Sequence, residues 1–133
     1  MASHRILINS SVIIEFFCMQ DKAQSLLYHL FTNESELYIS ALTYYELMCG
    51  AVSAPLQRDT ANVLSLFQIV EFGFHKAALA ARLYQRLKKV NQLVDVIDIL
   101  IAASARLHSL RVATLNAAHF SRFDEITLFD VLE

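Results

Sequence analysis

Glycine and proline are scarce in this chain of 133 residues, which contains two glycines and one proline. Linkers and low-complexity segments are rich in these residues, so their scarcity argues against an internal boundary. A chain of this length can bury one sizeable core, and residues 1–133 are expected to form a single domain. The two cysteines, Cys18 and Cys49, have neither the spacing of zinc ligands nor the pattern of a secreted disulfide framework.

The sequence also lacks an excess of positive charge and a long apolar run. Its 11 Lys and Arg and 13 Asp and Glu give a net charge of -2, so contact with nucleic acid would have to use a local patch. The longest apolar stretch, Val96 to Ala105, is interrupted by Asp98 and is too short to span a bilayer. The first residues lack an apolar signal-type region. A soluble cytoplasmic protein without a membrane partner is therefore expected.

Hydrophobic residues, by contrast, make up 56% of the chain, and the mean hydropathy is +0.42. Such values favour strands buried on both faces and an apolar surface for oligomerisation. Strands are predicted at short apolar runs: Ile6–Ile8, Leu37–Ser40, Phe67–Phe72, Arg111–Thr114 and Ile126–Leu128. Helices are predicted between them: Val12–Phe17, Lys22–Phe31, a segment capped by Ser40 or Thr43 and ended by Gly50, Pro55–Leu66, His75–Val90, Leu93–Ala105 and a short turn and helix at Asn116–Phe120. This alternation predicts an α/β fold with a mostly parallel sheet covered on both sides.

Four polar positions are predicted to meet at the carboxyl edge of that sheet, where open α/β sheets bind ligands. They are Asn9 after the first strand, Glu46, Asp98, and the pair Asn116 and His119. Each has a structural alternative: a helix cap for Asn9, a salt bridge for Glu46, a first-turn charge for Asp98 and a core histidine for His119. Carboxylates in an apolar frame are costly unless they are paired or bind a cation. Glu46 and Asp98 together therefore favour Mg²⁺ or Mn²⁺, whereas Zn²⁺ would need more His or Cys.

A basic stripe, formed by Arg82, Arg86 and Lys89, lies on the predicted helix His75–Val90. Such a stripe is more often simply the solvent-exposed face of a helix. The alternative is a surface that binds RNA phosphates.

Four segments in order, LINSSVIIEFF, ISALTYYELMCGA, DILIAASA and TLNAAHF, resemble the PIN domain family and, within it, the VapC-type toxin ribonucleases. The resemblance covers nearly the whole chain. It implies a three-layer α/β/α sandwich around a mostly parallel sheet, usually homodimeric. It also implies an endoribonuclease that depends on Mg²⁺ or Mn²⁺ and is held in check by a partner antitoxin.

Carried over by resemblance, the family's metal and catalytic positions fall on Asn9, Glu46, Asp98 and His119. Glu46 and Asp98 match the family. Asn9 stands where aspartate is usual, and His119 stands where an acidic residue is common. The resemblance thus implies a metal site that lacks its first carboxylate.

Further residues of the same segments are possible neighbours of that site. Asn116 matches a polar family position, and Ser10 resembles the Thr or Ser found there in relatives. Asp95 lies three residues before Asp98 and can face the same side of a helix, although it has no aligned family position. Glu15 lies near the first helix of the site, where a structural role is expected.

Asn9 supplies no negative charge, so divalent affinity should be low and activity impaired. Two explanations are open: an introduced change that silences a toxic nuclease, or natural divergence, which His119 favours. The first functional hypothesis is a metal-dependent endoribonuclease toxin that hydrolyses RNA phosphodiester bonds. The alternatives are a non-catalytic PIN-fold module that binds protein or RNA, and an obligate interaction subunit marked by the high apolar fraction.

Overall fold

The computed structural model describes residues 4–33 and 35–129. Four parallel strands form a sheet in the order β3-β2-β1-β4. They are β1 (Arg5–Ile8), β2 (Glu36–Ser40), β3 (Gln68–Val70) and β4 (Arg111–Ala113). Because all four are parallel, their carboxyl ends lie along one edge, which we term the carboxyl edge.

Helices cover both faces of this sheet. Seven α-helices lie in the described residues: α1 (Ser10–Cys18), α2 (Leu26–Thr32), α3 (Ala41–Gly50), α4 (Ala54–Leu64), α5 (Phe74–Lys89), α6 (Val96–His108) and α7 (Ala117–Phe120). Helices α1 to α4 share one apolar cluster with the sheet, and α5 to α7 share the other. The predicted three-layer α/β/α architecture is therefore confirmed.

The central strand β1 shows how the sheet unites the two clusters. Leu7 points into the cluster with α5 to α7, while Ile6 and Ile8 point into the opposite cluster, and all three side chains are fully buried. Successive side chains of a strand alternate between faces, so a strand covered on both sides needs apolar residues at every position. This burial explains why the strands are continuous apolar runs.

Polar side chains begin the helices that follow the strands and loops. Asn9, Ser25, Ser40 and Ser53 each accept a hydrogen bond from a backbone N–H in the first turn of the next helix. Ser40, rather than Thr43, is the cap of α3. Such caps satisfy N–H groups that have no partner within the helix.

Two predicted helices differ from the structure at their ends. The segment Lys22–Phe31 is a 3₁₀ helix, Lys22–Gln24, followed by α2, because Ser25 is extended and caps the second helix. The helix predicted from Leu93 begins instead at Val96, because Asp95 has an extended ψ of 143°. Apolar periodicity identifies the buried face of a helix, but it does not locate the residue at which the backbone becomes helical.

The strand predictions differ at the edges of the sheet. The run Phe67–Phe72 forms only the three-residue β3, and Ile126–Leu128 contributes a single parallel bridge between Leu128 and Val112. Edge segments have one neighbour at most, so fewer backbone pairs define them than in β1. Within residues 4–33 and 35–129, no helix is long and apolar enough to cross a membrane.

Candidate active site

Asn9 joins the end of β1 to the loop after β4. Its Oδ1 accepts hydrogen bonds from Ser11 N (3.2 Å), Ser11 Oγ (2.7 Å) and Thr114 Oγ1 (3.2 Å). Asn9 is 2% exposed, so these bonds replace water around a buried amide. The predicted cap role of Asn9 is confirmed, and the same oxygen also holds a residue 105 positions away.

The hydroxyls that bind Asn9 extend this network into the loop. Ser11 Oγ accepts from Leu115 N at 3.0 Å, and Thr114 Oγ1 accepts from Asn116 N at 2.9 Å. We call Asn9, Ser11, Thr114 and these two backbone groups the Asn9 network. It fixes the start of α1 against the loop that leads to His119.

The two ends of the Asn9 amide therefore have different roles. Oδ1 accepts the three hydrogen bonds from Ser11 and Thr114. Nδ2 donates no hydrogen bond in the described part of the chain. An amide nitrogen carries hydrogens and no free lone pair, so it cannot bind a cation. A carboxylate at this position would keep the network with one oxygen and present a second oxygen where Nδ2 lies.

Asp98 lies in the first turn of α6 and contacts His119. The His119 Nδ1 to Asp98 Oδ2 distance is 3.1 Å, with Asp98 8% exposed and the His119 side chain 47% exposed. Burial raises the pKa of Asp98, the hydrogen bond and charge of His119 oppose this shift, and the charge of Asp95 adds to it. His119 is thus a half-exposed partner of a buried carboxylate, and its alternative assignment as a core histidine is wrong.

Glu46 carries the least satisfied carboxylate of the site. Its Oε1 is buried and has no hydrogen-bond partner in the part of the chain that the structure describes. Burial raises the pKa of Glu46, and the charges of Asp95 and Asp98 raise it further. Three carboxylates from α3 and the start of α6 are therefore close enough to repel one another.

A divalent cation fits part of this arrangement. Mg²⁺ is commonly held by one or two carboxylates together with waters and substrate phosphates. Glu46 and Asp98 can supply these carboxylates, and a cation would relieve both the unpartnered oxygen and the mutual repulsion. Asn9 does not fit as a ligand because its only acceptor oxygen is already used. In residues 4–33 and 35–129, no group of three or more His, Cys, Asp or Glu is arranged to hold a metal ion.

Glu46→Gln is expected to stabilise the metal-free protein at neutral pH. Because the pKa of Glu46 is raised on folding, stability is lost as the pH rises through the folded-state pKa. A neutral amide avoids this loss, and we expect a gain of roughly 0.5 kcal/mol, small because the carboxylate is partly exposed. Urea unfolding at neutral and mildly acidic pH should show a gain that shrinks in acid.

The matched control for this prediction is Glu71→Gln, at an exposed glutamate beyond β3. It should leave the free energy of unfolding nearly unchanged at both pH values. A loss of stability for Glu46→Gln at neutral pH would contradict the electrostatic description of the site.

Other residues proposed from the sequence lie outside this cluster or contribute by their backbone. Ser10 begins α1, but among the described residues it is the adjacent Ser11 that hydrogen-bonds the side chain of Asn9. Asn116 is exposed and joins the Asn9 network through its backbone N–H.

Two predicted carboxylates have other roles. Asp95 is the N-cap residue of α6, and its charge raises the pKa of both Glu46 and Asp98. Glu15 has a structural contact, since its Oε1 accepts from Leu26 N at 2.9 Å.

The basic stripe is divided by an ion pair. Arg82 and Lys89 are exposed, while Arg86 is half-buried and binds Glu125. The hydrogen bond from Arg86 lowers the pKa of Glu125 against the opposing effect of burial. The ion pair of Arg86 therefore connects α5 to the segment that contains Glu125. Arg82 and Lys89 are the exposed cations of the stripe that can contact an anion.

An apolar cavity of about 320 Å³ opens beside Glu46. Residues of α1, α3 and α4 line it, including Ile14, Phe17, Leu47 and Leu56. Ile14 is 51% exposed and contributes apolar surface to the cavity that Glu46 also lines. The cavity is thus an apolar surface that adjoins a negatively charged site.

Comparisons with known proteins agree with this architecture. The family model described as PIN domain matches residues 6–126. The chain is 30% identical over 125 residues to Ribonuclease VapC1 of Methanocaldococcus jannaschii, covering 93% of the chain and 85% of that relative. It is 28% identical over 107 residues to Ribonuclease VapC of Rickettsia bellii, covering 75% and 80%. A solved toxin-antitoxin complex from Klebsiella pneumoniae contains a similar chain, with a TM-score of 0.74, 25% identity, and coverage of 92% and 95%.

Proposed function

The chain belongs to the PIN domain family, and from this premise we propose that it is a single-domain endoribonuclease toxin of the VapC type. We propose further that it depends on Mg²⁺ or Mn²⁺ and that Asn9 impairs it. The observation that carries the proposal is the pair of coupled carboxylates, Glu46 and Asp98, at the carboxyl edge. The names of the relatives as ribonucleases support RNA as the substrate.

In this proposal Glu46 and Asp98 would hold the cation. When bound, a divalent ion makes water acidic enough to attack a phosphodiester and offsets the charge that develops on the phosphate. His119 keeps the Asp98 carboxylate in place through Nδ1. The Asn9 network holds the loop that carries His119 against the start of α1.

The same contacts explain why activity should be low. Asn9 contributes no charge, and its acceptor oxygen is committed to Ser11 and Thr114. His119, which stands where relatives often have an acid, contacts Asp98 Oδ2 and adds no negative charge. Two carboxylates remain to attract a divalent ion, so we expect weak binding.

RNA cleavage by the unaltered chain tests the proposal. We expect slow cleavage of a labelled RNA with Mn²⁺, none with EDTA, and loss of at least tenfold in rate in both Glu46→Gln and Asp98→Asn. Circular dichroism should verify that the variants are folded. Cleavage that survives EDTA, or that survives both substitutions, would exclude a site built on these carboxylates.

A non-catalytic module that binds protein or RNA is the second candidate function. The hydrogen bonds to Asn9 Oδ1 and the contact between His119 and Asp98 Oδ2 favour this function, because both occupy oxygens that a cation would need as ligands. The two functions differ in their response to Mn²⁺ after Asn9→Asp. A nuclease should then gain thermal stability with Mn²⁺, and a module should not.

We also propose a cognate antitoxin as a partner, a homodimer as the assembly and the cytoplasm as the location. The Klebsiella pneumoniae structure, a toxin-antitoxin complex, supports the first of these. The apolar cavity beside Glu46 offers such a partner a surface from which a basic side chain could reach the carboxylates. Leu56→Asp at this cavity should weaken binding of a co-encoded partner in a mixing experiment, and unchanged binding would exclude this surface.

A further inference from the structure

Thr43 is a fully buried residue of α3 whose hydroxyl is unexplained. Its Oγ1 has no hydrogen-bond partner among the residues that the structure describes. A hydroxyl inside a helix can donate to the carbonyl four residues earlier, as Ser104 does to Leu100 O at 3.0 Å in α6. Thr43 lies in the first turn of α3, where the carbonyl four residues earlier belongs to Ile39 of β2, and it makes no such bond. A buried hydroxyl without a partner is uncommon and costly, so its position needs a reason.

Glu46 follows Thr43 by three residues on the same helix. Residues at this spacing lie on one helix face, and side chains lean towards the helix N-terminus. The spacing therefore places Thr43 and Glu46 on the same face of α3. The Oε1 of Glu46 is also buried, and it too has no hydrogen-bond partner in residues 4–33 and 35–129. One group is a donor and the other an acceptor, and each lacks what the other supplies.

We propose that Thr43 is a positioning residue for Glu46. The two groups are not within hydrogen-bond geometry of each other in the structure, so the pairing requires one side chain to rotate. The Thr43 hydroxyl then donates a hydrogen bond to the Glu46 carboxylate and holds one carboxylate oxygen in place. The other oxygen is then left to face a cation. The pairing of the two side chains is inferred from their spacing and burial in α3. Its consequence for cation binding rests on the proposed function.

A double-mutant cycle in EDTA tests the pairing without any metal. Thr43→Val removes the hydroxyl at nearly constant shape, and Glu46→Met removes the acceptor. We expect the unfolding constant of the double variant to differ roughly fivefold or more from the value predicted by the two single variants. Additivity within about twofold would overturn the inference.

Two further variants separate this pairing from a general effect of core packing. Thr43→Ser keeps the hydroxyl, so it should retain the interaction with Glu46 that Thr43→Val loses. Ser104→Ala removes a buried hydroxyl that already has its own partner, and its effect should add simply to that of Glu46→Met. If Thr43→Val does not fold, Thr43→Ala takes its place in the same cycle, since it adds no bulk to the core.

The consequence for cation binding is measured in the Asn9→Asp protein. Thr43→Val should weaken Mn²⁺ binding by about tenfold, and Thr43→Ser should restore it. Energetic coupling without Mn²⁺ binding would leave the pairing intact and reject the proposed function. Mn²⁺ binding without coupling, and without an effect of Thr43→Val, would reject the pairing and leave the proposed function intact.

Discussion

Asn9→Asp is expected to raise Mn²⁺-dependent RNA cleavage by about 10- to 100-fold, the range typical for a group that supports a metal site. The substitution is isosteric. One carboxylate oxygen can accept the three hydrogen bonds that Asn9 Oδ1 now accepts. The second oxygen replaces Nδ2 and adds a negative charge at the same edge of the sheet as Glu46 and Asp98, so we expect the cation to gain a ligand while the Asn9 network is retained.

Metal binding and cleavage should change together in this variant. Without metal, Asn9→Asp adds repulsion to carboxylates that are already close, so it should be slightly less stable than the unaltered chain. Mn²⁺ should then raise its melting temperature more than that of the unaltered chain. Adding Glu46→Gln should remove both the Mn²⁺ effect and the cleavage. A folded Asn9→Asp protein that neither binds Mn²⁺ nor cuts RNA would remove the main support for a nuclease.

Asn9→Ala should destabilise the fold by about 2 to 4 kcal/mol, because it leaves three partly buried donors without an acceptor. The donors are Ser11 N, Ser11 Oγ and Thr114 Oγ1. Two of them fix the start of α1, and the third ties the loop after β4 to β1. Urea unfolding at neutral pH measures the loss.

Asn116→Ala is the matched control for Asn9→Ala. Asn116 is exposed, and its side chain does not cap α7, so removing the amide should change the free energy of unfolding by less than about 0.5 kcal/mol. Asn9→Asp should retain most of the stability that Asn9→Ala loses. Equal stability of Asn9→Ala and Asn116→Ala would mean that Oδ1 does not hold the loop.

Much of the fold was predictable from local patterns. Short apolar runs gave the strands, helical periodicity gave the helices between them, and the cap residues Asn9 and Ser40 lie at helix starts as predicted. The errors lie where the backbone angles of a single residue determine where a helix begins. Asp95 is extended, so α6 begins at Val96, and Ser25 divides a predicted helix into two.

The candidate site was predictable as a set of residues but not as a set of contacts. Asn9, Glu46 and Asp98 were proposed from their places after strands and within helices. Ser11 was missed in favour of Ser10, because neighbouring residues of a helix point about 100° apart and only the orientation of α1 decides which faces the loop. Thr114 was missed as part of a strand, although a hydroxyl directly after a strand at the carboxyl edge was an available signal.

The sequence by itself determined that this chain forms a sheet buried on both faces. It also determined that the residue after β1 is Asn9, an uncharged amide, and not a negatively charged carboxylate. These features follow from the periodicity and identity of neighbouring residues. Only the tertiary structure decided that the Asn9 oxygen accepts hydrogen bonds from Ser11 and Thr114 and that His119 contacts Asp98. It also decided that Thr43 Oγ1 and Glu46 Oε1 are buried without a hydrogen-bond partner among the described residues. The physical reason is that most of these contacts join separate elements, and the burial that gives them their energy exists only after the sheet and its two helical layers have packed.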